Sequence, residues 1–126
     1  MLNLALIVGL WATTCIQTQN GRNAGFVIES YDVRDNGSYE HKTDWYADPM
    51  CSQQYDSNSE SGVVKVGKKL SGIFVTGNNF EADFETATGV DLGAVKVEDN
   101  KLKVARGMSG STMRNTMVGL FEYVKK

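Results

Sequence analysis

The chain has 126 residues, of which 41% are hydrophobic and 22% charged, and its formal net charge is -2. This length suits one hydrophobic core and is short for two ordinary domains, so we expect residues 1–126 to form a single domain. The composition excludes a disordered chain, and the scattered lysines lack the concentrated basic stripe of nucleic-acid-binding proteins, so nucleic acid is not an expected partner.

The amino terminus begins with an apolar run, Met1–Trp11, followed by the small residues Ala12, Thr13 and Thr14 and then by Cys15. A signal peptide or a lipid anchor on the cysteine begins in a similar way, but the positive charge that opens a signal peptide is missing. We interpret the run as a first β-strand, with the export signal outside this sequence. The alternative is that the run is a cleaved signal peptide or part of a lipid-anchored form. No stretch reaches the roughly 18 apolar residues of a membrane-spanning helix.

The clearest hairpin pattern comes next. Two runs rich in β-forming residues, Gly25–Asp35 and Ser38–Tyr46, flank the dipeptide Asn36-Gly37. This dipeptide favours the tight turn that joins two antiparallel strands. The sequence therefore predicts a β-hairpin over residues 25–46.

A polar segment, Asp56–Ser61, follows and predicts an exposed loop. Strands are expected after it, near Gly62–Lys68 and Gly72–Thr76. Residues 79–88 then alternate with a period of two, which predicts a strand with one face in the core and the other in water. The core face carries Phe80, Ala82, Phe84 and Thr86, and the solvent face carries Glu81, Asp83 and Glu85.

The last third of the chain contains a second hairpin, with strands at Val90–Glu98 and Lys101–Ala105 and a turn at Asp99-Asn100. Residues 108–116 are interpreted as a connector, and residues 117–124 as the closing strand. Eight to ten short strands predict an all-β domain. Pairing of the last strand with the first would remove both exposed sheet edges, so we expect a single antiparallel meander β-barrel.

The two cysteines, Cys15 and Cys51, can form one disulfide, which would tie the first strand to the end of the third. With His41 as the single histidine they cannot supply the four ligands of a structural zinc site, and we expect no metal and no cofactor. A disulfide persists in an oxidising compartment, so it predicts a secreted or periplasmic protein.

Several of these features together resemble the small exported bacterial lipocalin-like proteins, which have calycin-type barrels. The resemblance is carried by Gly9-Leu10-Trp11, Cys15, the Asn36-Gly37 hairpin and the segment Trp45–Cys51, and it spans roughly Val8 to Gly72, about half of the chain. It implies structural roles for Gly9 and Trp11, with the tryptophan packed across the closed end of the barrel beneath an arginine. Arg106 and Arg114 are the candidates for that cation.

The inward faces of the predicted strands define a candidate ligand site rich in aromatic side chains. Its residues are Tyr39, His41, Trp45, Phe80, Phe84, Phe121 and Tyr123. Aromatic walls with a few polar groups suit a small apolar or amphipathic ligand. The alternative is that these rings interdigitate and fill the interior, because protein cores are close-packed.

His41 is the single side chain whose unperturbed titration falls near neutrality, so a small hydrolase or isomerase built on it is one hypothesis. The segment Gly107–Ser111 narrowly misses the G-x-S-x-G nucleophile motif and has no lysine for a phosphate-binding loop. We therefore expect a non-catalytic, monomeric, exported barrel that binds a small molecule. The alternative is a protein-interaction module or inhibitor that acts through its loops or outer face, for example through Glu81, Asp83 and Glu85.

Overall fold

The computed structural model describes residues 3–18, 25–71, 77–116, 118 and 121–126. They form one short 3-10 helix and nine strands, which confirms the all-β class and the expected number of strands. Within these ranges no helix is both long enough and apolar enough to cross a membrane. The elements are the 3-10 helix Leu4–Ile7, β1 Gly9–Ala12, β2 Ile16–Thr18, β3 Gly25–Val33, β4 Ser38–Tyr46, β5 Gln54–Lys69, β6 Asn79–Thr86, β7 Gly89–Glu98, β8 Lys101–Ala105 and β9 Tyr123–Lys125.

The strands form a closed antiparallel meander barrel. From β3 to β8 each strand pairs with its neighbours in sequence, β9 pairs with β8 and β1, and the β1–β3 pairing closes a ring of eight strands. The ninth strand, β2, lies outside the ring and continues along β3 beyond the end of β1. Because β1 pairs with both β9 and β3, closure leaves neither the first nor the last strand as an open edge of the sheet.

Both predicted hairpins are confirmed. In the β3–β4 turn Gly37 has a φ of 90°, and the Asn36 side chain accepts a hydrogen bond from the Ser38 backbone N–H at 2.9 Å. In the β7–β8 turn Asp99 and Asn100 both have positive φ, 51° and 60°. Two successive positive φ values characterise the turn type that matches the twist of paired strands, and Asn and Asp tolerate it.

The loop predicted over Asp56–Ser61 is wrong, because these residues lie inside the 16-residue strand β5. Asparagine and aspartate are depleted in strands and serine is frequent in turns, which is why the local sequence indicates a loop. In the barrel, β4 pairs with this segment residue by residue, from Trp45 opposite Asp56 to His41 opposite Glu60. Pairing with a neighbouring strand thus overrides the local preference.

The two terminal predictions need correction as well. The opening run is a strand only at Gly9–Ala12, because Leu4–Ile7 forms the 3-10 helix and Gly9, with a φ of 136°, turns the chain into β1. The closing strand, expected over 117–124, is the shorter β9 within the described residues. The strand expected at Gly72–Thr76 lies outside them.

One end of the barrel is closed by the 3-10 helix and by Trp11, which is 1% exposed and donates its indole N–H to the Ile7 carbonyl at 2.9 Å. The cation near the indole is Lys125, with its Nζ 5.6 Å from the ring centroid. The expectation that Arg106 or Arg114 would occupy this position is wrong. The reason is the closure of the barrel, which pairs β9 with β1 and places Lys125 directly opposite Trp11.

The disulfide between Cys15 and Cys51 is present, with the two Cα atoms 5.8 Å apart. Cys15 lies between β1 and β2, and Cys51 lies in the loop that joins β4 to β5. Because β3 separates β2 from β4, the bridge fastens the β4–β5 loop across a neighbouring strand. It therefore stabilises the end of the barrel that lies away from the 3-10 helix, called the far end below.

Candidate functional site

The barrel interior changes character along its axis. Near the 3-10 helix it is apolar, with buried residues that include Ile7, Trp11, Val33, Val64, Val66, Val95 and Leu102. A layer of aromatic rings follows, formed by Tyr31, Tyr39, Phe84 and Tyr123. Toward the far end lie five ionisable residues, Glu29, His41, Glu60, Asp91 and Arg106, which we call the ionic cluster.

The strand pairings explain why these charged side chains face inward. Side chains alternate along a strand, and directly paired residues share a face. His41 is paired with the buried Tyr31 on one side and with Glu60 on the other, and Asp91 is paired with the buried Phe84. Three strands therefore direct polar side chains toward the barrel axis at one level.

Arg106 is the centre of the ionic cluster. Its guanidinium donates to Glu60 Oε1 at 2.6 Å and to Asp91 Oδ2 at 2.6 Å and 3.1 Å, and its Cζ lies 4.6 Å from the Phe84 ring centroid. The Arg106 and Asp91 side chains are only 17% and 14% exposed. Burial of these charges is costly, and the two carboxylates together with the aromatic ring offset the cost.

The ion pair between Arg106 and Glu60 also determines the charge states of both side chains. Burial by itself raises the pKa of Glu60, but the hydrogen bond and the charge of Arg106 outweigh burial and leave the pKa below its usual value of 4.5. Burial acts to lower the pKa of Arg106, and the Glu60 hydrogen bond reverses this, so that the net shift is upward. Both partners are consequently charged at neutral pH.

His41 forms the second part of the ionic cluster. Its Nε2 lies 3.2 Å from Glu29 Oε1, and its ring stacks on Tyr31 with centroids 4.2 Å apart and planes inclined by 2°. Thr43 donates to the same carboxylate oxygen at 3.4 Å. These contacts orient the imidazole, so it can present a hydrogen bond or a flat ring to a bound molecule.

Burial governs the tyrosines beneath the ionic cluster. It raises the pKa of Tyr31 to about 12, with the charge of Arg106 acting in the opposite direction. Burial also raises the pKa values of Tyr39 and Tyr123 well above the usual 10. The three phenols are therefore neutral hydrogen-bonding groups in the folded protein.

Alkaline titration should detect this burial directly. A tyrosine with a raised pKa in the folded state stabilises the fold below pH 10, and that contribution is lost as the pH rises toward the folded-state pKa. We expect absorbance at 295 nm to show that Tyr31, Tyr39 and Tyr123 remain un-ionised at pH 11, until they ionise together as the protein unfolds. Complete ionisation at that pH with the circular dichroism spectrum unchanged would contradict the prediction.

The residues of the predicted ligand site occupy three different environments. Tyr39, Phe80, Phe84 and Tyr123 belong to the core, each 8% exposed or less, and Phe121 packs against it. His41 lies in the ionic cluster. Trp45 is further along β4 toward the far end, on the same face as His41 and partly exposed.

The structure brings some of these residues together and separates others. The Tyr39 and Phe84 rings meet edge to face at 5.6 Å, and Tyr123 meets Tyr31 in the same way at 5.2 Å. Phe80, at the apolar end, and Trp45, at the far end, are widely separated. These buried rings lie in the middle of the barrel, and the ionic cluster lies between them and the far end.

Sequence reasoning missed Tyr31 and four members of the ionic cluster. Two of the missed residues could have been predicted from the sequence. Glu29 and Tyr31 are spaced by two residues from Val27 and Val33, which places them on the core face of β3. Glu60 was hidden within the segment interpreted as a loop. The pairing partners of Asp91 and Arg106 depend on contacts between distant strands and leave no local pattern.

The outer face of β6 carries the predicted row of carboxylates, and other parts of the chain neutralise it. Arg114 lies 2.8 Å from Asp83 and 3.5 Å from Glu81, and it donates to the Gly93 carbonyl at 2.8 Å. Lys65 pairs with Glu85 at 3.2 Å. The connector after β8 therefore packs over this face, which reduces the charge available to a partner.

Two pockets lined by described residues lie away from the ionic cluster. One, of about 180 Å³, is on the outer face of β7 and β8 and includes Lys96 and Lys103. The other, of about 290 Å³, lies beside the β3–β4 turn and includes Leu4 and Val63. Neither contains a residue of the ionic cluster.

No protein-family model, curated protein or solved structure matches the chain. The barrel architecture is shared by many proteins with unrelated activities, so the fold does not assign a function. The side chains directed into the far end of the barrel are the feature from which a function can be argued.

Proposed function

We propose that the protein is a non-catalytic, exported, lipocalin-like barrel that binds one small amphipathic molecule at its far end. The observation that carries this proposal is the ionic cluster, which directs five ionisable side chains into the barrel. Well-packed apolar residues usually stabilise a core as well as a buried ion pair or better. Ionisable groups whose pKa values are shifted by burial and by a specific charge partner, as those of Glu60 and Arg106 are, cluster at binding and catalytic sites.

The surroundings of the ionic cluster suit an amphipathic ligand. On the far-end side of the aromatic layer, charged and hydrogen-bonding groups are provided by Arg106, His41 and Glu29. Trp45, six residues beyond Tyr39 on β4, extends the same face toward solvent and offers an apolar surface. A ligand with an apolar body and a polar head could contact both, which is the usual composition of small-molecule sites.

The disulfide supports the exported part of the proposal. The bridge closes a 36-residue separation, and such bonds form and persist in oxidising compartments. Its position at the far end also restrains the β4–β5 loop beside Trp45. The same bond would therefore keep the proposed site in one shape outside the cell.

Titration calorimetry with n-octyl glucoside below its micelle concentration tests ligand binding. We expect saturable one-to-one binding and a blue shift of tryptophan emission, which reports Trp45 because Trp11 is already buried at 1% exposure. His41→Ala should weaken binding at least about fivefold, by loss of a hydrogen bond and a stacked ring.

Lys42→Ala is the matched control, because Lys42 is the exposed neighbour of His41 on the opposite face of β4. It should leave the affinity unchanged. Equal affinities for the wild-type protein and His41→Ala, or the absence of saturable binding, would refute the proposed site. Native mass spectrometry of the purified protein provides a second readout, since a co-purifying small molecule is expected.

A further inference from the structure

The far half of β5 is an exposed strand edge. β5 pairs with β4 from Gln54 to Val63, but its pairing with β6 begins only at Val63, opposite Glu85. Six successive residues, Gln54–Ser59, are exposed although they are part of a strand. Along this stretch β4 covers one edge, and the described residues provide no strand on the other.

The direction of the unpaired backbone groups follows from one hydrogen bond. Val64 N–H donates to the Gly37 carbonyl at 2.8 Å, on the β4 side of β5. Successive residues of a strand direct their backbone groups to alternate sides. Ser57, Ser59 and Ser61 therefore point their N–H and C=O groups away from β4, and on that side the Ser57 N–H donates to the Asp56 carboxylate at 2.8 Å.

The side chains of this edge leave room for another strand and give it negative charge. The outer face presents three serines, and no proline or lysine blocks the edge between Gln54 and Ser61, although natural edge strands often carry such residues. The inner face presents Asp56 and Glu60, paired opposite Trp45 and His41. Asp44 adds a carboxylate on the outer face, where Ser57 donates to it at 2.7 Å.

We infer that this edge binds an extended basic peptide segment of another protein, which adds a strand beside Ser57–Ser61. Backbone hydrogen bonds would supply the affinity, and alternate lysine or arginine side chains would meet the exposed Asp56. Further along the same face they would reach Glu60, which is 40% exposed and whose Oε1 already accepts a hydrogen bond from Arg106. A second copy of the chain is a poorer occupant. Antiparallel self-pairing centred on Asn58 brings Asp56 and Glu60 of the two copies together, and like charges directly opposite destabilise a sheet.

The test uses the synthetic peptide acetyl-TKVKVKVT-amide and titration calorimetry at low salt. We expect one-to-one binding, with slower amide hydrogen exchange at Ser59 and Ser61 and little change at Asn58, which already faces β4. Two control peptides separate the contribution of charge from that of backbone hydrogen bonding. The analogue acetyl-TEVEVEVT-amide should not bind, and a lysine peptide N-methylated at its six central residues keeps its charge but should also fail to bind.

Ser59→Pro is the informative variant of the protein. Proline removes the outward N–H, and strands accept it at an unpaired edge, so the barrel should fold. We expect the affinity for the lysine peptide to fall at least about tenfold. Ser59→Ala, which keeps the backbone N–H, should bind within about twofold of wild type, and n-octyl glucoside binding should be unchanged in both variants.

Three results would overturn the inference. The first is equal binding of the N-methylated and unmethylated lysine peptides, which would indicate charge attraction without strand addition. The second is the absence of binding by the lysine peptide. The third is concentration-dependent dimerisation of the free protein that Ser59→Pro abolishes, which would make a second copy the occupant. If Ser59→Pro fails to fold, the comparison of the N-methylated and unmethylated lysine peptides on the wild-type protein still tests strand addition.

Discussion

Replacement of Arg106 by methionine should lower the free energy of unfolding by about 3 kcal/mol, because removal of one member of a buried ion pair leaves the other charges without compensation. Asp91, 14% exposed, would lose its partner, and the half-buried Glu60 would lose its shortest contact. Urea denaturation at pH 7 measures the change.

Acid should reduce the difference in free energy of unfolding between the wild-type protein and Arg106→Met. The pKa of Glu60 is depressed in the folded protein, so its contribution is fully present above the usual value of 4.5 and is lost as the pH falls below it. Arg106→Lys should show a smaller loss, since it keeps the charge without the planar fork. Lys65→Met serves as the control for an exposed pair, because the side chains of Lys65 and Glu85 are 56% and 38% exposed. A loss there equal to that of Arg106→Met would contradict the role of burial.

Removal of the disulfide by the double substitution Cys15→Ala and Cys51→Ala should have an effect of similar size. For a loop closed by a 36-residue separation, the chain-entropy account gives about 4 kcal/mol of lost stability. Urea denaturation of the oxidised wild type, the reduced wild type and the double variant measures it. The reduced wild type and the double variant should have the same free energy of unfolding.

A thiol titration of the unfolded, unreduced protein provides the control for this prediction. It should find no free thiol, because Cys15 and Cys51 are bonded to each other. Two free thiols, or a stability that reductant does not change, would contradict both the stabilising role of the bridge and the argument for export. The proposed ligand site would then lose the restraint on the β4–β5 loop.

The features predicted correctly from the sequence are those determined by short segments. Asn36-Gly37 and Asp99-Asn100 accept the backbone conformations of tight turns, so both hairpins could be predicted. The alternation with a period of two from Phe80 to Phe84 correctly predicts which face of β6 lies in the core. Each of these signals depends on residues close together in the chain.

The errors arise where distant segments meet. The polar stretch Asp56–Ser61 has the composition of a loop and becomes a strand because β4 pairs with it. The cation beside Trp11 is Lys125 because barrel closure brings β9 to β1. The ionic cluster joins residues of β3, β4, β5 and β7 to Arg106, and no single segment predicts that combination.

The sequence by itself determined the class of fold, its two tight hairpins and the pairing of the two cysteines, since turn chemistry, alternation and cysteine number are local or compositional properties. The tertiary structure decided which strand closes the barrel, which charges face inward and which edge of β5 stays open. These depend on pairing energies between segments far apart in the chain, where burial and backbone hydrogen bonding outweigh the preferences of individual residues.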